Sequence, residues 1–267
     1  MANKGLQFEW CIYHLIAKAN PTKYKSDADA KKAAANYAAA DKDVRDSAAN
    51  AIATITKKYG TITKVEKKSG GGVEPKTDLL ITTNRIRLKC SLKYGGSVQL
   101  SSGGIKNTTK FLSSVIGELS KTNYMPSKKS KELIAFLSDM ETNIGGLGSL
   151  KANQAKKILE ESGDYQTKLQ EILGSKKKPD VTKEYQKLKL AIVKEAMTGN
   201  ITFKANKDLA ADHILSESYI RKIDNKFISE VAAKTTVRLA LKGRGKTMIG
   251  GKEIRLNEIV VRFDAAS

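Results

Sequence analysis

The sequence predicts an α+β fold: a small mixed central β-sheet flanked by helices, with a helical middle region and a C-terminal β-hairpin. Three observations predict it. Residues 85–93 alternate between basic or polar and apolar side chains, which is typical of a half-buried strand. Short apolar runs bounded by turn residues surround this strand. After residue 105 the apolar residues recur at helical spacing, and near residue 235 strand patterns return.

These patterns divide the chain into three segments. Residues 1–105 are predicted to form an α/β core from an amphipathic helix, an alanine-rich helix, or two, and a β-meander: 5–19, 26–59 and 61–101. Residues 106–180 are predicted to be a helical region. Residues 181–267 are predicted to be a helix followed by strands that pack on the core.

Net charge is the strongest global feature of the 267-residue chain. There are 48 Lys and Arg residues against 28 Asp and Glu, which gives a formal charge of +20. Such an excess predicts a polyanionic partner, because each neutralised phosphate releases counterions. Nucleic acid is the leading candidate. An anionic membrane surface is less favoured, since no apolar run approaches the roughly 20 residues of a spanning helix, and a basic surface without a partner stays open.

The cysteines and histidines predict neither a disulfide nor a zinc site. Cys11 and Cys90 fall on apolar faces of predicted elements and are interpreted as small core residues. His14 and His213 do not combine with them in a zinc-binding spacing. The N-terminus has no signal-peptide pattern, so we expect a reducing, cytoplasmic setting.

Polar residues in the predicted meander indicate a candidate catalytic site on one surface of the sheet. Asp78 precedes the apolar run 79–81, Ser91 and Lys93 lie on the basic face of the next strand, and Gln99 lies on a third. An acid, an ammonium and an amide at one sheet edge are the groups that metal-dependent phosphodiester cleavage uses. The alternative interpretation is an antiparallel sheet with a solvated basic face, in which Asp78 ends a turn.

These residues resemble the PD-(D/E)xK nuclease superfamily, which includes many restriction endonucleases. Lys76-Thr77-Asp78 would take the place of the Pro-Asp element, and Ser91-Leu92-Lys93 that of (D/E)xK. Gln99 matches a glutamine that some members carry after the lysine. The chain departs from the pattern at two positions, because Ser91 replaces the second acidic residue and Pro75 lies three residues before Asp78.

The resemblance implies a divalent-metal-dependent DNA endonuclease of restriction-endonuclease-like fold. Asp78 and Glu9 would hold Mg²⁺ or Mn²⁺, cations that prefer carboxylate oxygens, with Glu74 as the alternative to Glu9. Lys93 would act at the scissile phosphate, and Gln99 would complete the catalytic set.

Basic residues in two places are predicted to contact nucleic acid. Lys89 and Ser91 lie on the basic face of the central strand. Lys242, Arg244 and Lys246 alternate with glycines in a predicted hairpin tip, where the missing side chains would permit close approach to a phosphodiester backbone. A purely structural role for this loop is the other interpretation.

The sequence therefore carries three functional hypotheses. The first is the Mg²⁺-dependent endonuclease. The second is a non-catalytic nucleic-acid-binding or DNA-packaging protein with a degenerate nuclease fold, and the third is a module that binds an acidic protein. The lysine- and alanine-rich helices are typical of a phage-encoded protein, which would act on double-stranded DNA in the host cytoplasm. The sequence leaves the oligomeric state open, a dimer included.

Overall fold

The computed structural model describes residues 4–19, 27–68, 76–95, 98–249 and 252–265, and its α+β class confirms the prediction. The helices of this part are α1 Lys4–Ala19, α2 Asp27–Ala39, α3 Lys42–Tyr59, α4 Ile105–Lys121, α5 Ser127–Asn143, α6 Ala152–Glu161, α7 Gly163–Leu173, α8 Lys183–Thr198 and α9 Asn225–Lys234. The strands are β1 Ile62–Lys67, β2 Leu79–Thr83, β3 Arg87–Lys93, β4 Val98–Gly104, β5 Leu150–Lys151, β6 His213–Ser216, β7 Ile220–Lys222, β8 Thr235–Ile249 and β9 Lys252–Ala265.

The chain forms two compact units, and each is built from two separate segments. The first unit contains Met1–Ser97 and Met197–Phe227, and the second contains Val98–Ala196 and Ile228–Ser267. This division differs from the three consecutive segments expected from the sequence. The reason is that β6 and β7, which follow the helical region, complete the sheet of the first unit.

The first unit contains a five-stranded mixed sheet with the order β1-β2-β3-β6-β7. Neighbouring strands are antiparallel except β3 and β6, which run parallel with Cys90 opposite His213. β6 begins at His213. All four residues of β6 are buried, so the strand shows no alternation that would reveal it. Turns follow α8 at residues 200–205.

One hydrophobic core joins helices α1–α3 to one face of this sheet. Phe8 and Ile12 of α1 pack with small residues of α3 and with Ile81 of β2. Alanines such as Ala48 and Ala51 are fully buried, which allows α3 to approach closely, as the alanine-rich composition predicts. The buried thiols of Cys11 and Cys90 belong to the same core and form no disulfide, as predicted.

The second unit contains a sheet organised around β9. This strand pairs with β8 along one edge and with β4 and β5 along the other, and all of these pairings are antiparallel. The C-terminal β-hairpin is thus confirmed. The prediction that 98–100 form the third strand of a meander is wrong, because these residues belong to β4, which pairs with β9; the local pattern identifies a strand but not its partner.

Helices α4 and α5 confirm the predicted helical middle region. Their apolar residues are buried at helical spacing, with Leu112 and Ile116 on α4 and Leu133 and Leu137 on α5. Among the helices in the described ranges, none has both the length and the apolar character needed to cross a lipid bilayer.

We expect Thr83→Val to destabilise the β2–β3 hairpin by about 2 kcal/mol, because the partly buried hydrogen bonds between the Thr83 hydroxyl and three backbone groups would be lost. The Thr83 hydroxyl donates to the Tyr59 carbonyl at 2.8 Å and accepts the N–H groups of Arg85 and Ile86 at 3.1 and 3.0 Å. Urea denaturation measures the change. Thr82→Val on the same strand is the control and should change stability by less than about 0.5 kcal/mol; an equal effect of both substitutions would contradict the prediction.

Candidate functional site

Asp78 lies at the start of β2, and its carboxylate binds the neighbouring strand. Its Oδ2 accepts the backbone N–H of Leu92 at 2.6 Å and the hydroxyl of Ser91 at 3.4 Å. The backbone N–H of Asp78 donates to the Cys90 carbonyl at 2.9 Å. The side chain therefore extends the β2–β3 hydrogen-bond ladder beyond the end of the strand.

Glu9 of α1 forms an ion pair with Lys67, the last residue of β1. Both side chains are largely buried, with 12% of Glu9 and 24% of Lys67 exposed. The Lys67 ammonium also lies 4.7 Å from the centroid of the Trp10 ring. Burial lowers the pKa of Lys67, and the negative charge of Asp78 partly opposes that shift. Lys67 therefore lies under the electrostatic influence of both predicted metal ligands, Glu9 and Asp78.

Glu9, Asp78 and Lys67 form the candidate cluster. The other predicted catalytic residues form no hydrogen bond or ion pair with it in the described part of the chain. Lys93 ends β3 opposite Ser216 of β6, and its ammonium forms no hydrogen bond or ion pair with another described residue. Gln99 belongs to the second unit, where its backbone lies opposite Asp264, and its side chain is outside the described residues. Glu74 is also outside them. Sequence reasoning missed Lys67, because this lysine lies between Glu66 and Lys68 at the charged end of β1 and no local pattern distinguishes it from them.

The donors of the cluster do not fit a Mg²⁺ or Mn²⁺ site in the arrangement that the structure shows. Glu9 is already neutralised by Lys67, and one Asp78 oxygen accepts two hydrogen bonds. Ser91, at the position of the second carboxylate, is buried and supplies only a hydroxyl. In the part of the chain that the structure describes, no group of three acidic, His or Cys side chains could hold a metal ion. We therefore derive no catalytic step through a metal.

The basic face of β3 is partly neutralised by the segment that precedes β6. The Lys89 ammonium donates to the Lys207 carbonyl at 3.1 Å and lies 3.9 Å from an oxygen of Asp212. Arg87 pairs with Asp208 at 2.9 Å. Ser91 is 5% exposed. The predicted phosphate contacts at Lys89 and Ser91 thus meet internal partners instead of a free surface.

A second polar cluster lies where β3 and β6 pair. The Nδ1 atom of buried His213 lies 2.6 Å from the Asp212 carboxylate, and the same carboxylate oxygen accepts the backbone N–H of Lys89 at 2.9 Å. The neighbouring Cys90 is fully buried, and burial raises the pKa of its thiol. Because a protonated, inaccessible thiol is a poor nucleophile, this Cys, His and Asp arrangement is structural.

Lys242, Arg244 and Lys246 do not form a hairpin tip, so that prediction is wrong. All three lie within β8, where the register shifts between Gly243 and Lys246. Glycines that suggest a turn here instead form a β-bulge, with Gly245 at a φ of 96°. Arg244 pairs with Glu258 and Lys246 with Glu253, both on β9.

Comparisons of the chain with protein-family models, with curated proteins and with solved structures give no match. The resemblance to PD-(D/E)xK nucleases consequently stays a prediction from the motif.

We expect the Glu9 and Lys67 charges to stabilise each other by about 1–2 kcal/mol, because removing one partner leaves the other charge largely buried. A double-mutant cycle with Glu9→Gln and Lys67→Met, followed by urea denaturation, measures this coupling. The exposed pair Lys156 and Glu160 serves as the control and should show a coupling of roughly 0.5 kcal/mol or less. Equal coupling energies in the two cycles would contradict the prediction.

Proposed function

We propose that this protein binds nucleic acid through its cationic surfaces and does so without cleaving it. The excess of basic residues carries the proposal. The first unit has 23 Lys and Arg residues against 13 Asp and Glu, and the second has 25 against 15. Each unit thus carries a formal charge of +10. A charge of this size in both units opposes folding by self-repulsion, and a polyanion would relieve that repulsion.

Cations that lack an internal carboxylate partner support the proposal. On α4, Lys106 and Lys110 are exposed one helical turn apart, and neither forms an ion pair with another described residue. They line a groove between α4 and α5 together with Ser113, Ser138 and Glu141. The Glu141 carboxylate accepts the Thr109 hydroxyl and forms no ion pair with either lysine. Ammonium and hydroxyl groups together are the usual donors to phosphate oxygens.

The endonuclease is the second candidate, and one observation favours it. Glu9 and Asp78, far apart in sequence, both act on the Lys67 ammonium at one end of the sheet. Two acids and a lysine are the residue types that the resemblance requires. The lysine is not the one expected, however, and the second motif acid is Ser91, so binding without cleavage is the better supported function.

We expect the protein to bind a fluorescent DNA duplex with an affinity that falls as salt rises. The slope of log affinity against log salt should be about −0.9 for each phosphate neutralised. Fluorescence anisotropy at several salt concentrations measures it. Absence of binding, or binding that does not depend on salt, would contradict the proposal.

Plasmid incubated with the protein and Mg²⁺ should stay intact. Cleavage that is lost in both Asp78→Asn and Lys93→Ala would replace the proposal with the nuclease. Asp78→Asn is preferred to alanine because the amide keeps an oxygen that can accept the Leu92 N–H.

A further inference from the structure

The distal part of the β8–β9 hairpin is a two-stranded ribbon. β4 pairs with β9 only from Val260 to Ala265, and β5 pairs only at Leu256 and Asn257. Beyond these pairings, 246–249 and 252–255 pair with each other and with no other described strand. The side chains of Lys246, Met248, Lys252, Glu253 and Arg255 are exposed, and Met248 is 65% exposed.

The charges of this ribbon are poorly matched for folding alone. Lys246 lies directly opposite Arg255, and like charges in that position destabilise a strand pair. Glu253 pairs with Lys246, which leaves Arg255 and Lys252 without an ion pair to another described residue. From 242 to 258 there are five basic residues and two acidic ones. The Glu253 carboxylate compensates Lys246 but forms no ion pair with Arg255, so an anion beside Arg255 would relieve the remaining repulsion.

We propose that this ribbon enters a groove of double-stranded DNA, an inference that rests on the proposed function and names its binding element. Strands of a ribbon lie about 4.8 Å apart, and the major groove of B-DNA, about 12 Å wide, admits two strands with their side chains. One face of the ribbon carries Arg255, Met248 and the Lys246–Glu253 ion pair. On this face Arg255 contacts a phosphate directly, Lys246 contacts a second phosphate by exchanging the Glu253 carboxylate for it, and Met248 gives an apolar contact to base edges.

The composition of the hairpin favours duplex DNA over other nucleic acids. No aromatic residue occurs between Thr235 and Arg262. Proteins that bind single strands use aromatic side chains as stacking platforms, which this hairpin lacks. The major groove of A-form RNA is deep and narrow, so it excludes an element of this width.

The β-bulge adapts the ribbon to a curved groove. Bulges increase the local right-handed twist of a strand pair. Gly245 has a φ of 96°, and a Cβ built on it meets no atom within 4 Å. The backbone conformation, and not lack of space, therefore requires glycine at this position.

The test compares two double variants with the same loss of charge. Lys246→Gln with Arg255→Gln removes the facing cations of the ribbon, and Lys176→Gln with Lys177→Gln removes two exposed cations of the same unit outside it. Binding to a labelled DNA duplex is measured by anisotropy over a salt series.

The ribbon variant should bind at least about tenfold more weakly than the unmodified protein. The slope of its log affinity against log salt should be smaller in magnitude by about 2, because two phosphate contacts are lost. The control should stay within about twofold of the unmodified protein.

Three results have distinct meanings. If the unmodified protein binds but both variants weaken equally, or neither weakens, the ribbon is not the binding element and the proposed function stands. If the unmodified protein does not bind, the proposed function itself fails. Unlabelled single-stranded DNA or duplex RNA that competes as well as duplex DNA would overturn the groove assignment. If both variants unfold at the same temperature as the unmodified protein, their fold is retained.

Discussion

The parallel pairing of β3 with β6 is the constraint on which the organisation of the chain depends. In this pairing Cys90 lies opposite His213, although more than a hundred residues separate them in the sequence. A large loop must therefore close before the two strands can pair. Two aspartates reinforce the central strand, since Asp212 accepts the N–H of Lys89 and Asp78 accepts that of Leu92. Because β6 returns to the first sheet, 98–196 is left to fold as most of a separate unit.

Local pattern predicts elements in this protein better than it predicts their partners. The alternation of residues 85–93 identifies β3, and that of residues 61–66 identifies β1. β6 cannot be recognised from alternating polar and apolar residues, because every residue of this short strand is buried and none forms a polar face. β4 is recognisable as a strand, yet it pairs with β9 instead of β3. Pairing depends on contacts between distant segments, which no local window contains.

The candidate site shows the same limit at the level of side chains. Asp78 is identifiable because it precedes a predicted strand at the place of the Pro-Asp element, and Glu9 only because the resemblance implies an acidic residue on an early helix. Which lysine meets them depends on how α1 packs on the sheet, and that packing selects Lys67 at the end of β1. Likewise, the neutralisation of Arg87 by Asp208 requires a segment that arrives far later in the chain.

The two kinds of charge on this molecule favour different chemistry. A metal ion needs carboxylates whose negative charge is not yet compensated, and Glu9, Asp78, Asp208 and Asp212 in the first unit each have a cation or an N–H group as partner. A metal would have to displace these donors and leave the Lys67 ammonium buried without its counter-ion. A phosphate needs the opposite, namely exposed cations without internal partners, such as Lys110 on α4 and Arg255 on β9. This contrast is the physical basis of our proposal that the protein holds a polyanion and does not activate water at a metal.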